Sequence, residues 1–210
     1  LVAVKTGLDL HGLNHAFGGA IALAFHVREP RATSDIDVNV TTDPADPVRA
    51  FRALPPQVQW GDDDVARCRA DGQVRLFWVE EPFPTPVDVF LPQHVLHAEV
   101  DREAETVDLL GERVRILSAT HLAVFKALFN RTKDWADIEA MLEFGQVDLP
   151  RVVTWLTDLV GGDDPRIGRL AEAERTVARQ AGGDVALDAA QLLRRASRPV
   201  QAARPPVDRL

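Results

Sequence analysis

Asp35 and Asp37 stand one residue apart in the run Thr33-Ser34-Asp35-Ile36-Asp37-Val38. If Ile36 to Val40 is a strand, its two-residue alternation aims both carboxylates at one face. Close carboxylates disfavour each other's ionisation, whereas a hard cation such as Mg²⁺ takes oxygen ligands and reverses that penalty. Asp88 is the third member: its neighbours Val87, Val89 and Phe90 put it inside a strand, where an acid needs an open sheet face or a partner. Adjacent antiparallel strands would bring all three together. Such a cluster can hold two metal ions, one activating an attacking hydroxyl and one stabilising a triphosphate and its leaving pyrophosphate. The chemistry these residues point to is metal-dependent phosphoryl transfer; the plain alternative is surface acids that cap turns.

The elements that must position these acids follow from pattern. Gly18-Gly19 precedes the alanine-rich run Ala20 to His26, a helix whose start can turn backbone N–H groups towards a ligand. Gly7 to Gly12 reads as a lead-in, 35–40 as a strand, and 47–54 as a short helix ended by Pro55-Pro56. Residues 65–70 and 73–79 read as a hairpin about Asp71-Gly72, with Cys68 a buried strand residue rather than a nucleophile. Residues 87–91 form a strand, and 107–117 a strand, turn and strand. From Ser118, which can cap a helix through Phe129, the period becomes helical. A helix capped by Thr132, another over 149–160 and a last one over 170–196 follow, with a loose tail at Pro205-Pro206. The fold class is α/β (α+β): a mixed-sheet core with few helices over residues 1–117, then a helical portion over 118–210.

Net charge is −8, which gives no electrostatic case for a nucleic-acid binder indifferent to sequence. The charge is uneven, with nine arginines against five acids in 166–210, so Arg166, Arg169, Arg175 and Arg179 are the first candidates for an RNA-facing surface. A single cysteine excludes an intrachain disulfide and fits a reducing compartment. No apolar run approaches a membrane span and no secretory signal opens the chain, so a cytoplasmic protein without membrane contact is expected. The start at Leu1 leaves open an upstream piece. His94 and His97 lack further ligands for zinc. Trp60, Trp78, Trp135 and Trp155 read as core or subunit-contact residues rather than base-stacking platforms.

Gly18-Gly19, Asp35-x-Asp37 and Asp88 resemble the mark of the nucleotidyltransferase superfamily. The later block Leu122-x3-Lys126-x4-Arg131-x2-Asp134-x2-Asp137 is similar to that of the AbiEii-type toxins and their mycobacterial MenT relatives. The resemblance spans roughly residues 15–145. It implies a nucleotidyltransferase mixed-sheet core, Mg²⁺ (or Mn²⁺), a nucleoside triphosphate, and membership of a toxin–antitoxin pair. The implied reaction adds a nucleotide, commonly a pyrimidine, to the 3′ end of tRNA and so blocks translation. Gly19 departs from the serine of several relatives, which removes a hydroxyl contact to the triphosphate.

On this resemblance Asp35, Asp37 and Asp88 are metal ligands and catalytic. Lys126 reaches the triphosphate across the cleft, against the bland reading of a lysine snorkelling from the core edge. Arg131 adds a second cation, with Asp134 or Asp137 orienting one of them. Arg31 touches phosphate or the clustered acids, against an exposed loop arginine. Thr33 and Ser34 shape the approach to Asp35, and either hydroxyl is a candidate for phosphorylation by a cognate antitoxin acting as a kinase. Two other readings stay open: transfer to a protein or a small antibiotic, and a non-catalytic nucleotide-binding partner.

Overall fold

The computed structural model describes residues 1–80 and 82–182. In chain order the elements are α1 (Val2–Leu10), β1 (His15–Phe17), α2 (Gly19–Leu23), β2 (Ile36–Val40), α3 (Pro47–Arg52), β3 (Val58–Gln59), α4 (Asp62–Asp71), β4 (Gln73–Trp78) and β5 (Thr85–Phe90). There follow α5 (Leu96–Arg102), β6 (Glu105–Leu109), β7 (Glu112–Ile116), α6 (Ala119–Phe129), α7 (Thr132–Phe144), α8 (Leu149–Val160) and α9 (Pro165–Gln180). The strands form one mixed sheet in the order β3-β4-β5-β2-β1-β7-β6. The antiparallel β1–β2 pair lies between two parallel pairings, β2 with β5 and β1 with β7, and antiparallel pairs continue to both edges. A mixed α/β fold with a central sheet and C-terminal helices is therefore what the chain builds.

Alternation organises the sheet. On β2, Ile36, Val38 and Val40 are buried, and on β5 Val87 and Val89 are fully buried, while Asp37, Asn39, Asp88 and Phe90 take the opposite face. That second face is roofed in part by α6, which packs on α2, α7 and α8. The core runs without a break from Val4 and Leu8 of α1 through the sheet to Leu156 and Leu170 of α8 and α9.

Several expectations change. The proposed hairpin about Asp71-Gly72 is instead a helix followed by a strand. Three aspartates at 62–64 suit the positive end of a helix, Asp64 accepts a hydrogen bond from Gly61 N at 3.0 Å, and Gly72 closes the helix in the left-handed conformation (φ +68°). A glycine with positive φ serves a helix end as well as a hairpin, so Cys68 lies buried on α4. The Gly7–Gly12 lead-in belongs largely to α1, which with α4 and α5 makes the first part richer in helix than expected, while the short helix expected over 47–54 is α3. The cap of α7 is Arg131 rather than Thr132, with the Asp134 carboxylate accepting from Arg131 N at 3.1 Å. The predicted strands at 35–40, 87–91 and 107–117 and the helix at 149–160 are present. The last helix begins at Pro165; its expected extension to 196 and the Pro205-Pro206 tail lie outside the described residues. No helix among the described residues is long and apolar enough to cross a membrane.

Candidate active site

The strand register gathers the acids. Asp37 and Asp88 are direct neighbours across the β2–β5 pairing, so their side chains leave the same face of the sheet. The pairing is parallel, not antiparallel as the sequence reading had it; register, rather than strand sense, decides which side chains meet. Asp35, just before β2, completes the group. Burial, then the charges of Asp88 and Asp35, push the Asp37 carboxyl up to about 6.

Gly18 and Gly19 press against this cluster. Gly18 N donates to the Asp37 carbonyl at 2.9 Å, and Gly19 has φ +53° with a Cβ, if added, falling inside the Asp37 carboxylate. A serine could not occupy this conformation without moving Asp37. The glycine here reflects a close approach of backbone to carboxylate, rather than a mere loss of a hydroxyl.

Opposite the acids stands a wall of alternating charge on α6, α7 and the loop before β2. Lys126 is buried and donates to Asp137 Oδ2 at 2.6 Å, with Asp134 at 4.0 Å. Arg31 grips Asp137 through Nε and Nη2 at 3.2 and 3.1 Å, and Arg131 grips Asp134 at 2.7 and 3.0 Å. Burial would raise the Asp137 carboxyl, but the Arg31 and Lys126 hydrogen bonds outweigh it and hold the group below its ordinary range. Both aspartates of α7 thus orient cations: Asp137 serves Lys126 and Arg31, Asp134 serves Arg131. At the cleft mouth Ser34 Oγ donates to Asp35 at 2.8 Å and Thr33 Oγ accepts from Asp35 N at 3.2 Å; both residues are exposed.

Between the walls lies a cavity of about 270 Å³. Its lining includes Gly18, Gly19, Arg31, Thr33, Ser34, Asp35, Asp37, Asp88, Lys126, Arg131 and Asp134, together with the apolar Phe90, Leu122, Phe125 and Phe129. Asn39, Arg75 and Lys133 also line it and escape sequence reasoning. Asn39 follows Asp37 by two positions on the same face and keeps a buried Oδ1 with no hydrogen-bond partner; the alternation that found Asp37 would have found it. Arg75 on β4 is the direct neighbour of Asp88, holding both its oxygens at 2.8 and 2.6 Å and reaching Asp35 Oδ2 at 3.4 Å. The expected strand at 73–79 is β4, but nothing local to it says that Arg75 will face Asp88.

The donor set suits a hard dication: three carboxylates face one cavity, and Asp37 is left electrostatically unfavourable without more positive charge. As they stand, however, no three His, Cys, Asp or Glu side chains among the described residues form a group able to hold a metal ion. The Arg75 guanidinium links Asp35 and Asp88, its Nη2 lying 3.4 Å from Asp35 Oδ2 and 2.6 Å from Asp88 Oδ2. His94 and His97 instead make local contacts, against Trp155 and Phe125.

The four arginines singled out for RNA are engaged within the protein. Arg166 binds Asp164 at 2.7 Å and the Leu128 carbonyl at 3.2 Å; Arg169 donates to Asn130 and lies 4.3 Å from the Trp135 ring centroid. Arg175 and Arg179 both hold Glu172. Of the tryptophans, Trp135 is buried, Trp78 and Trp155 pack on the core, and Trp60 leans on Phe51.

No protein-family profile and no curated protein matches the chain. Among solved structures, its fold is similar to that of an antigenic nucleotidyltransferase-like protein from Paracoccidioides brasiliensis, at 19% identity and a TM-score of 0.51, covering 85% of this chain and 95% of that one. JHP933 from Helicobacter pylori aligns at 15% identity and a TM-score of 0.42 over 86% of this chain and 91% of its own. The fold is nucleotidyltransferase-like.

Proposed function

We propose that the protein is a nucleotidyltransferase that moves a nucleoside monophosphate from a nucleoside triphosphate to an acceptor hydroxyl. The observation that carries this reading is the meeting, in one cavity, of an acidic wall from β2 and β5 and a cationic wall from α6 and α7. A triphosphate carries negative charge for the second wall and needs a dication to lie against the first.

Asp35 and Asp37, with Asp88 in the three-carboxylate reading, would hold Mg²⁺ or Mn²⁺, which supplies charge neutralisation at the α-phosphate and lowers the pKa of a bound hydroxyl. Lys126 and Arg131, aimed by Asp137 and Asp134, take the phosphate oxygens. Arg31 closes on the same chain from the loop. The acceptor oxygen attacks the α-phosphorus, a new P–O bond forms, and the bond to the bridging α,β-oxygen breaks. Pyrophosphate leaves with that electron pair, and the hydroxyl proton passes to a carboxylate or to water.

The acceptor proposed is the 3′ end of tRNA and the donor a pyrimidine triphosphate, which rests on the AbiEii-like block Leu122 to Asp137. In this reading the core, residues 1–117, supplies the acidic wall and Arg31, and the helical portion, residues 118–210, supplies Lys126 and Arg131 from α6 and the turn into α7. A cognate antitoxin, including one that phosphorylates Thr33 or Ser34, fits the exposure of both hydroxyls beside Asp35. The binding-only alternative draws on the Arg75 clasp, which already offsets part of the acidic charge. Incubation with each α-labelled triphosphate, Mg²⁺ or Mn²⁺, total RNA and cell protein separates these readings. Label in tRNA is expected, abolished by Asp35→Ala and Asp37→Ala with circular dichroism unchanged. Absence of label from every fraction overturns transfer, and label in protein moves the acceptor.

A further inference from the structure

Arg75 and Asp88 face each other as direct partners of an antiparallel pair, so their contact is built into the register of the sheet. The guanidinium fork takes both Asp88 oxygens, and the same Nη2 that binds Asp88 Oδ2 reaches Asp35 Oδ2. Planar, two-pronged pairing of this kind uses the lone pairs that a metal ion would need. A guanidinium also keeps its charge across the neutral pH range.

We propose that Arg75 is a fixed cation of the active site, standing where a second divalent ion would otherwise sit, so that the cleft takes one ion on Asp35 and Asp37 while Asp88 positions Arg75. This deepens the nucleotidyl-transfer reading and rests on it. Charge balance in the nucleotide-free cleft, the state in which ions are counted below, favours it: one dication together with Arg75 matches three carboxylates, whereas two dications beside Arg75 exceed them. Geometry favours it too, since two-metal sites require ions roughly 3.5–4 Å apart sharing carboxylate oxygens, and Arg75 already lies among those oxygens. In the reaction Arg75 faces the phosphate that approaches the acidic wall, while Lys126 and Arg131 face it from the other side.

Mn²⁺ binding to the full chain, counted by electron paramagnetic resonance and by calorimetry, tests this without reference to turnover. The expected count is one ion per wild-type chain and two for Arg75→Ala, falling back to one in the Arg75→Ala/Asp88→Asn double variant. Asp88→Asn alone is expected to change wild-type Mn²⁺ affinity less than about threefold, against a loss of at least about tenfold for Asp37→Asn. Arg75→Met, which keeps the aliphatic stem, repeats the count if the alanine variant fails to fold. Two ions in the wild type, or a tenfold loss in Asp88→Asn, overturns the proposal. If the wild type also labels an acceptor, that result leaves nucleotidyl transfer standing with Asp88 as a ligand. No Mn²⁺ binding together with no labelling overturns both.

Discussion

At the residue scale, Asp37 shows how a site can work against its own fold. Its carboxyl has an ordinary value of 3.8 and sits at about 6 in the folded chain, first because of burial and then because of Asp88 and Asp35. The folded state therefore binds more protons than the unfolded one between these values. Stability falls as pH rises through that window and stays lowered above it. In EDTA at about pH 8, Asp37→Asn should raise stability by about 1–3 kcal/mol, seen as a higher melting temperature. Near pH 3, where both states hold the proton, the gain should vanish. Equal melting temperatures at pH 8 would mean that the carboxylate is better solvated than its surroundings indicate. Sequence alone exposed this residue because its one-residue spacing from Asp35, weak by itself, stands between a glycine-led helix and the strand acid Asp88. Arg75 stayed hidden because its meaning lies in which residue it faces across the sheet, and pairing register is a long-range fact.

At the element scale, what was legible followed from local chemistry. Ser118 begins α6 by accepting from His121 N, the role its sequence position assigned, and Asp148 and Asp164 do likewise for α8 and α9. Ser118→Ala should cost about 1 kcal/mol, read from urea unfolding with an unchanged slope; a change in slope would point to an altered unfolded state rather than a lost cap. Where a local signal serves two purposes, the reading failed. Gly72 suits a turn or a helix end, and only the three acids at 62–64 decide for the helix. The three-residue β1 is too short for alternation to register, yet it is the strand that ties β2 to β7 and brings Gly18 to Asp37.

At the scale of the whole molecule, the division at residue 117 visible in the sequence marks a change of secondary structure across which one core continues. The sheet presents Asp37 and Asp88 with Arg75 between its acids, α6 and the start of α7 present Lys126 and Arg131, and the cleft lies between the two. Fold class was readable because strand-period and helix-period patterns occupy different stretches of the chain. The packing of α6 across the sheet was not, since nothing local specifies which face a helix will cover. That helix has a double duty: Ala123, Val124 and Ala127 are fully buried in the core while Lys126, between them, carries its ammonium into the cavity. On the proposed function, ligand affinity and cooperative folding are consequently read from the same eleven residues. On slow heating, capacity for triphosphate and far-ultraviolet ellipticity should decay along one superimposable curve, with no warm, still-helical species that has already released its grip.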